Sequence, residues 1–240
     1  MRKLLHADMS RFFRSKPFFY GLIGSALFAF VFILLNAPEK QFSSIPEGGA
    51  LMLLPFFIGA VMSLNIAAEF TGGAIRNKLI VGHSRLNILL SWSFCSVLIA
   101  VLYYAAYEAS AFVSALLFSY DLSLLQTADI VQNLLLVLIL LLSNLFLSLL
   151  ICVIVEDMRG VAVMFLLQFS LMFLSTIGGE ALSDNETAQF VFRFFPQGQL
   201  TALNILKAPD QPVLTAACAL SAGAVLLILS AVYFRKHDMK

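Results

Sequence analysis

IVQNLLLVLILLLSNLFLSLLICVIV, residues 130–155, carries no charged side chain from end to end. A helix of about twenty apolar residues crosses the roughly 30 Å hydrocarbon core of a bilayer. This run is longer, so it reads as a membrane span that tilts or projects beyond the core. Five further apolar stretches are long enough to span: 18–36, 50–68, 88–118, 160–178 and 213–234. The composition agrees, with 60% hydrophobic and 12% charged residues. Soluble domains hold about 45–50% and about 25%. An ordinary soluble domain and a disordered chain are thereby excluded. The predicted fold is an all-α integral membrane protein, one domain over residues 1–240 with six transmembrane helices. The first stretch follows a polar, basic segment and is too long for a signal-peptide core, so it reads as a span.

Six spans place both chain ends on one side. The segments 1–17, 69–87, 156–159 and 235–240 collect twelve of the Lys and Arg residues. The alternate segments hold only Lys40, Arg193 and Lys207. Loops on the cytoplasmic side gather Lys and Arg, so the expected location is the cell membrane, multi-pass, with both termini cytoplasmic. The net charge of +1 offers no basic surface for nucleic acid. Cys95, Cys152 and Cys218 all fall in apolar runs and read as small buried hydrophobes, without disulfide or metal spacing.

Outside the spans, residues 1–17 set Leu4, Leu5, Met9, Phe12 and Phe13 in a helical stripe among Arg2, Lys3, Arg11, Arg14 and Lys16. That pattern predicts a basic amphipathic helix in the headgroup layer, turning into the first span at Pro17. Between the second and third stretches stands EFTGGAIRNKLIVGHSR, residues 69–85. Gly72–Gly73 breaks one helix and Gly82 ends another, leaving a short helix over 73–81. Ile75 and Leu79 share its apolar face, with Arg76, Asn77 and Lys78 beside it. A helix this short is unstable alone in water. It packs on headgroups, on its own bundle, or on a cytoplasmic partner; the plain alternative is a loop closing a hairpin. Residues 179–212 are aromatic-rich and broken at Pro196 and Gly198. They predict two short helices over about 184–206, half-sunk at the outer surface, with Ser183 and Glu186 as a capping box.

Few residues suggest chemistry. His6, His83 and His237 lie far apart on the flanks, and no zinc-protease string occurs. Glu108, among Tyr103, Tyr104 and Tyr107, is the one ionisable residue well inside a stretch. It reads either as a substrate or proton contact or as a carboxyl bonded to polar neighbours near the outer interface. Asn144 and Gln168 read as hydrogen-bonding groups between helices. No catalytic constellation is present, and the chain is not read as an enzyme.

The string at 69–85, with Arg76-Asn77-Lys78-Leu79 followed by Gly82-His83-Ser84-Arg85, resembles the permeases of ABC-2-type transporters. The layout resembles theirs along the whole chain. The resemblance implies an amphipathic amino-terminal helix, a cytoplasmic coupling helix after span two and short re-entrant helices before the last span. It also implies two partners besides the lipid bilayer: a separate ATP-binding subunit and a second permease subunit, identical or homologous. Ala74, Ile75, Arg76, Asn77, Lys78 and Leu79 would meet the ATP-binding subunit. Glu156, Asp157, Met158 and Arg159 would form a weaker second contact. The chain lacks a phosphate-binding G-x-x-x-x-G-K-[ST] string, so ATP and Mg would be held by the partner and no cofactor by this chain. In the resembled family, spans two and five line the cavity between permeases. That would put Phe56, Met62, Asn65, Phe165, Gln168, Phe169, Met172 and Phe173 on the substrate path. The implied activity is export of an amphipathic or apolar peptide, drug or lipid. The alternative is a stand-alone membrane protein, such as an ion-coupled transporter or a sensor or immunity subunit.

Overall fold

The computed structural model describes residues 2–35, 51–118, 127–181, 186–200 and 211–236, and those residues are helical with short turns. In chain order the helices are α1 (Arg2–Arg14), α2 (Lys16–Leu35), α3 (Leu54–Thr71, preceded by a 3-10 turn at Leu51–Leu53) and α4 (Ala74–Ile80). Then follow α5 (Arg85–Leu117), α6 (Thr127–Val155), α7 (Arg159–Ala181) and α8 (Glu186–Phe192), a helical stretch over 196–200 (α9), and α10 (Pro212–Lys236). Five of these are long and apolar enough to cross a membrane: Lys16–Leu35, Leu51–Thr71, Arg85–Leu117, Val131–Val155 and Pro212–Lys236. The expected remaining span falls on α7, whose apolar stretch, Arg159–Ser175, is shorter. The chain is therefore an all-helical protein with several membrane-length helices. Ser183 and residues 201–206 of the expected outer helices lie outside the described residues.

Lipid is as apolar as leucine, so helices in a bilayer associate through close packing and hydrogen bonds rather than through hydrophobic exclusion. The contacts here have that character. α2 lies along α5, where Tyr103 Oη donates to the Phe18 carbonyl at 2.5 Å and Ser110 Oγ donates to the Ala26 carbonyl at 2.7 Å. Gly21 makes that approach possible: a Cβ there would stand 2.4 Å from Tyr103 Oη and 2.8 Å from Val61 Cγ2. α10 lies along α6, with Gly223 set against Ser143. α3 sits among α2, α5, α6 and α7.

At 33 residues α5 is the longest helix among the described residues. At about 1.5 Å per residue it is about 50 Å long, so one end must pass beyond a core of about 30 Å. Its first turns carry α1 and α4. Leu4 and Phe12 of α1 are buried there, and Ser15 makes the corner into α2: its hydroxyl donates to the Phe12 carbonyl at 2.8 Å and accepts from Phe18 N at 3.4 Å. α10 ends beside the same turns, where Phe234 packs on Trp92 at 5.4 Å and Arg85 Nη1 donates to the Phe234 carbonyl at 3.3 Å. The first helix and the end of the last therefore share one end of the bundle with α4.

Candidate functional site

The sharp corner between α3 and α4 is built from glycine. Gly72 N and Gly73 N close α3 on the carbonyls of Ala68 and Phe70 at 3.0 and 3.3 Å. Gly73 then takes φ +69, a left-handed backbone that side chains other than glycine adopt at a cost. α4 runs seven residues and ends with Gly82 N on the Leu79 carbonyl and His83 N on the Lys78 carbonyl. Ser84 Oγ accepts from Asn87 N at 3.3 Å and caps α5.

So short a helix is held by what it touches. Ile75 is only 2% exposed and Leu79 is half-buried, both packed on the bundle of the chain itself. Lys78 is the second anchor. Its ammonium meets Asp8 Oδ1 of α1 and Glu69 Oε2 of α3, each at 2.6 Å. Glu69 also pairs with Arg11 of α1, and Asp8 Oδ2 accepts from Ser91 Oγ of α5 at 2.7 Å. Lys78 lies over the Trp92 ring, 5.9 Å from its centroid. Two carboxylates face two cations, so the cluster is formally neutral. That is the condition under which buried charges are tolerated. Burial pulls the Lys78 ammonium below its ordinary pKa, against the opposing pull of the Asp8 hydrogen bond. Burial likewise lowers the Arg11 guanidinium, against the pull of Asp8. α1, α3, α4 and α5 thus meet at one polar knot.

Of the surfaces the sequence leaves open for α4, the chain's own bundle takes one face. Ile75 and Lys78 face into the molecule, so neither offers itself to a partner. The exposed tip consists of Arg76 and Asn77 with Ile80 and Val81, each of the latter two 76% exposed. The signal that was missed lies on two stripes. Asp8 sits one turn from both Leu4 and Phe12 on the buried face of α1, and Glu69 continues the buried Met62–Ile66 line of α3. An acid on a buried stripe needs a cation; the sequence does not say which one.

The turn at 156–159 joins α6 to α7. Glu156 takes φ 57, Asp157 Oδ1 accepts from Arg159 N at 2.7 Å, and the Arg159 side chain reaches Asp157 Oδ2 at 3.3 Å. Arg159 and Met158 are exposed.

The proposed path residues divide. Phe56 and Phe165 stand 5.8 Å apart and line a groove of about 520 Å³ between α2, α3 and α7, with Tyr20, Phe57 and Leu64. Phe169 and Phe173 stack at 6.5 Å on the exposed face of α7. Met172 is half-buried. Met62, Asn65 and Gln168 do not line the groove. Met62 is fully buried, Asn65 Nδ2 donates to the Val61 carbonyl of its own helix at 2.8 Å, and Gln168 Nε2 donates to Ser148 Oγ of α6 at 3.0 Å. Glu108 is half-buried on α5, one turn from the buried Tyr104.

Comparison of the sequence with protein-family models and with curated proteins finds no match among either.

Proposed function

We propose that this chain is the membrane-spanning permease subunit of an ATP-driven transporter of the ABC-2 type, exporting an amphipathic or apolar substrate. The observation that carries the reading is α4. It is a seven-residue helix fixed to the bundle by Ile75 and Lys78, with Arg76, Asn77, Ile80 and Val81 presented at its tip. A bare hairpin loop needs no helix and no buried ion knot. A docking element needs both rigidity and an exposed apolar tip. In this reading α7 is the fifth of six spans, and α4 faces the cytoplasm. A second copy or a homologue lies along the groove between α2, α3 and α7. The ATP-binding subunit closes on ATP and pushes on the tip of α4. Because Lys78 joins α4 to α1 and α3, the push is delivered to three helices as one body.

The test is site-directed cross-linking in native membranes. A cysteine at Ile80, in a background lacking Cys95, Cys152 and Cys218, should link to a polypeptide bearing a Walker A string. The captured complex should hydrolyse ATP. Cross-links to lipid or to this chain alone, with no ATPase in the purified assembly, would overturn the reading.

A further inference from the structure

A second groove, of about 480 Å³, lies between the last turns of α6 and α10, apart from the α4 tip and from the α2–α3–α7 groove. On α10 it is lined by Leu229, Val232, Tyr233 and Lys236, a set spaced at three, four and seven residues that falls on one face of the helix. On α6 it is lined by Leu150 and Ile154, one turn apart. Ile154, Leu229 and Val232 are exposed on the outside of the bundle. α6 and α10 both include stretches long and apolar enough to cross a membrane, so exposed apolar side chains along them suit lipid hydrocarbon.

One end of this apolar stripe is charged. Lys236 is the last described residue of α10, seven residues or about 10 Å beyond Leu229 along the helix. Its side chain is exposed, and among the described residues it makes no ion pair. Nor is it needed to satisfy the end of its own helix. Arg85 Nη1 already donates to the carbonyls of Phe234 and Arg235, at 3.3 and 3.2 Å. A lysine stem lies along apolar surface while its ammonium reaches out to the polar layer. The groove therefore offers hydrocarbon along its length and a cation at its rim.

We propose that this groove is a binding site for an anionic phospholipid, one acyl chain lying against Ile154, Leu229 and Val232 and the phosphate meeting the Lys236 ammonium. The complementarity favours a lipid of net negative charge. A zwitterionic headgroup brings its own cation, which Lys236 repels, whereas an anionic one brings only the charge that Lys236 lacks. The site requires that α10 cross the bilayer and stands independently of any transport activity.

The test uses the full chain in phosphatidylcholine nanodiscs. Phosphatidylglycerol and phosphatidylcholine probes carry the same diazirine-bearing acyl chain, and the label is located by peptide mapping. Label should appear on α6 and α10 near Ile154 and Val232. It should be about five times heavier from phosphatidylglycerol, the advantage that one basic side chain gives at an anionic headgroup. Lys236→Gln should remove that advantage and Lys236→Arg should keep it. Arg14→Gln, which removes an exposed charge on α1, should leave it in place. Val232→Trp should fill the groove and reduce labelling by both probes. Equal labelling by the two probes in the unmodified chain would overturn the proposal. So would an advantage that survives Lys236→Gln, labelling that Val232→Trp leaves unchanged, or no label at these helices.

Discussion

Lys78 carries more of the structure than its place on a short polar helix suggests. Its ammonium touches both Asp8 and Glu69, each at 2.6 Å. Removing it leaves two buried carboxylates to share Arg11, with one charge uncompensated, and breaking a buried pair by deleting one partner costs about 3–5 kcal/mol. Lys78→Met should therefore lower the thermal unfolding midpoint in detergent well beyond Arg76→Ala, which changes an exposed side chain. Trp92, the only tryptophan in the chain, lies under the Lys78 ammonium and reports on the same event. Its emission should shift in Lys78→Met and stay put in Arg76→Ala. Combining Lys78→Met with Glu69→Gln should cost less than the sum of the single changes, since the second removes a charge the first had stranded. An additive double variant would deny the ion knot. At this scale the sequence is half legible. The acids on the buried faces of α1 and α3 stand out as charges where apolar residues belong. Their cation, about seventy residues from Asp8, does not.

Elements were easier to place than their faces. Apolar length alone marks the helices long enough to cross a membrane, and the glycine pair marks the corner before α4. The inward side of a span is a different matter. Lipid and protein interior are equally apolar, so a helix such as α3 shows little contrast between faces. That is why Met62, Asn65 and Gln168 belong to helix packing and not to the groove beside Phe56. On α4 the same ambiguity inverts the expected effects of substitution. Ile75→Asp buries a charge inside the bundle and should reduce the yield of folded protein, partner or none. Ile80→Asp and Val81→Asp change exposed positions and should keep the monodisperse profile on size exclusion while losing the ATP-binding subunit. A folded Ile75→Asp, or full partner retention in Ile80→Asp, would return α4 to the status of a hairpin loop. Helix crossings offer a separate check. Gly21→Ala would drive a methyl into Tyr103 Oη and Val61, breaking the bond from Tyr103 to the Phe18 carbonyl. Overpacking of this kind costs about 1–3 kcal/mol. The variant should unfold at lower temperature, and Tyr103→Phe should recover part of the loss by vacating the hydroxyl's place.

For the whole molecule the transporter proposal turns on which end faces the cytoplasm. α1, α4, the first turns of α5 and the last turn of α10 all gather at one end. The basic residues of α1 and Arg235 and Lys236 of α10 stand there too. Arg193 follows α8, in the connection between α7 and α10, beyond the last turn of α7. If Lys and Arg are retained in the cytoplasm, the α4 end is inside. ATP is inside as well, so the docking reading requires this orientation and no other. In a background without Cys95, Cys152 and Cys218, all buried, single cysteines at Lys3, Lys236 and Arg193 separate the possibilities. A membrane-impermeant maleimide applied to intact cells should modify the cysteine at Arg193 and spare those at Lys3 and Lys236. Opening the membrane should expose the latter two. A chain with α7 lying along the surface instead of crossing would need an odd number of spans and would separate the two ends; outside labelling at Lys236 alone is its signature. Outside labelling at both Lys3 and Lys236 would turn the α4 tip away from ATP and end the transporter proposal with it.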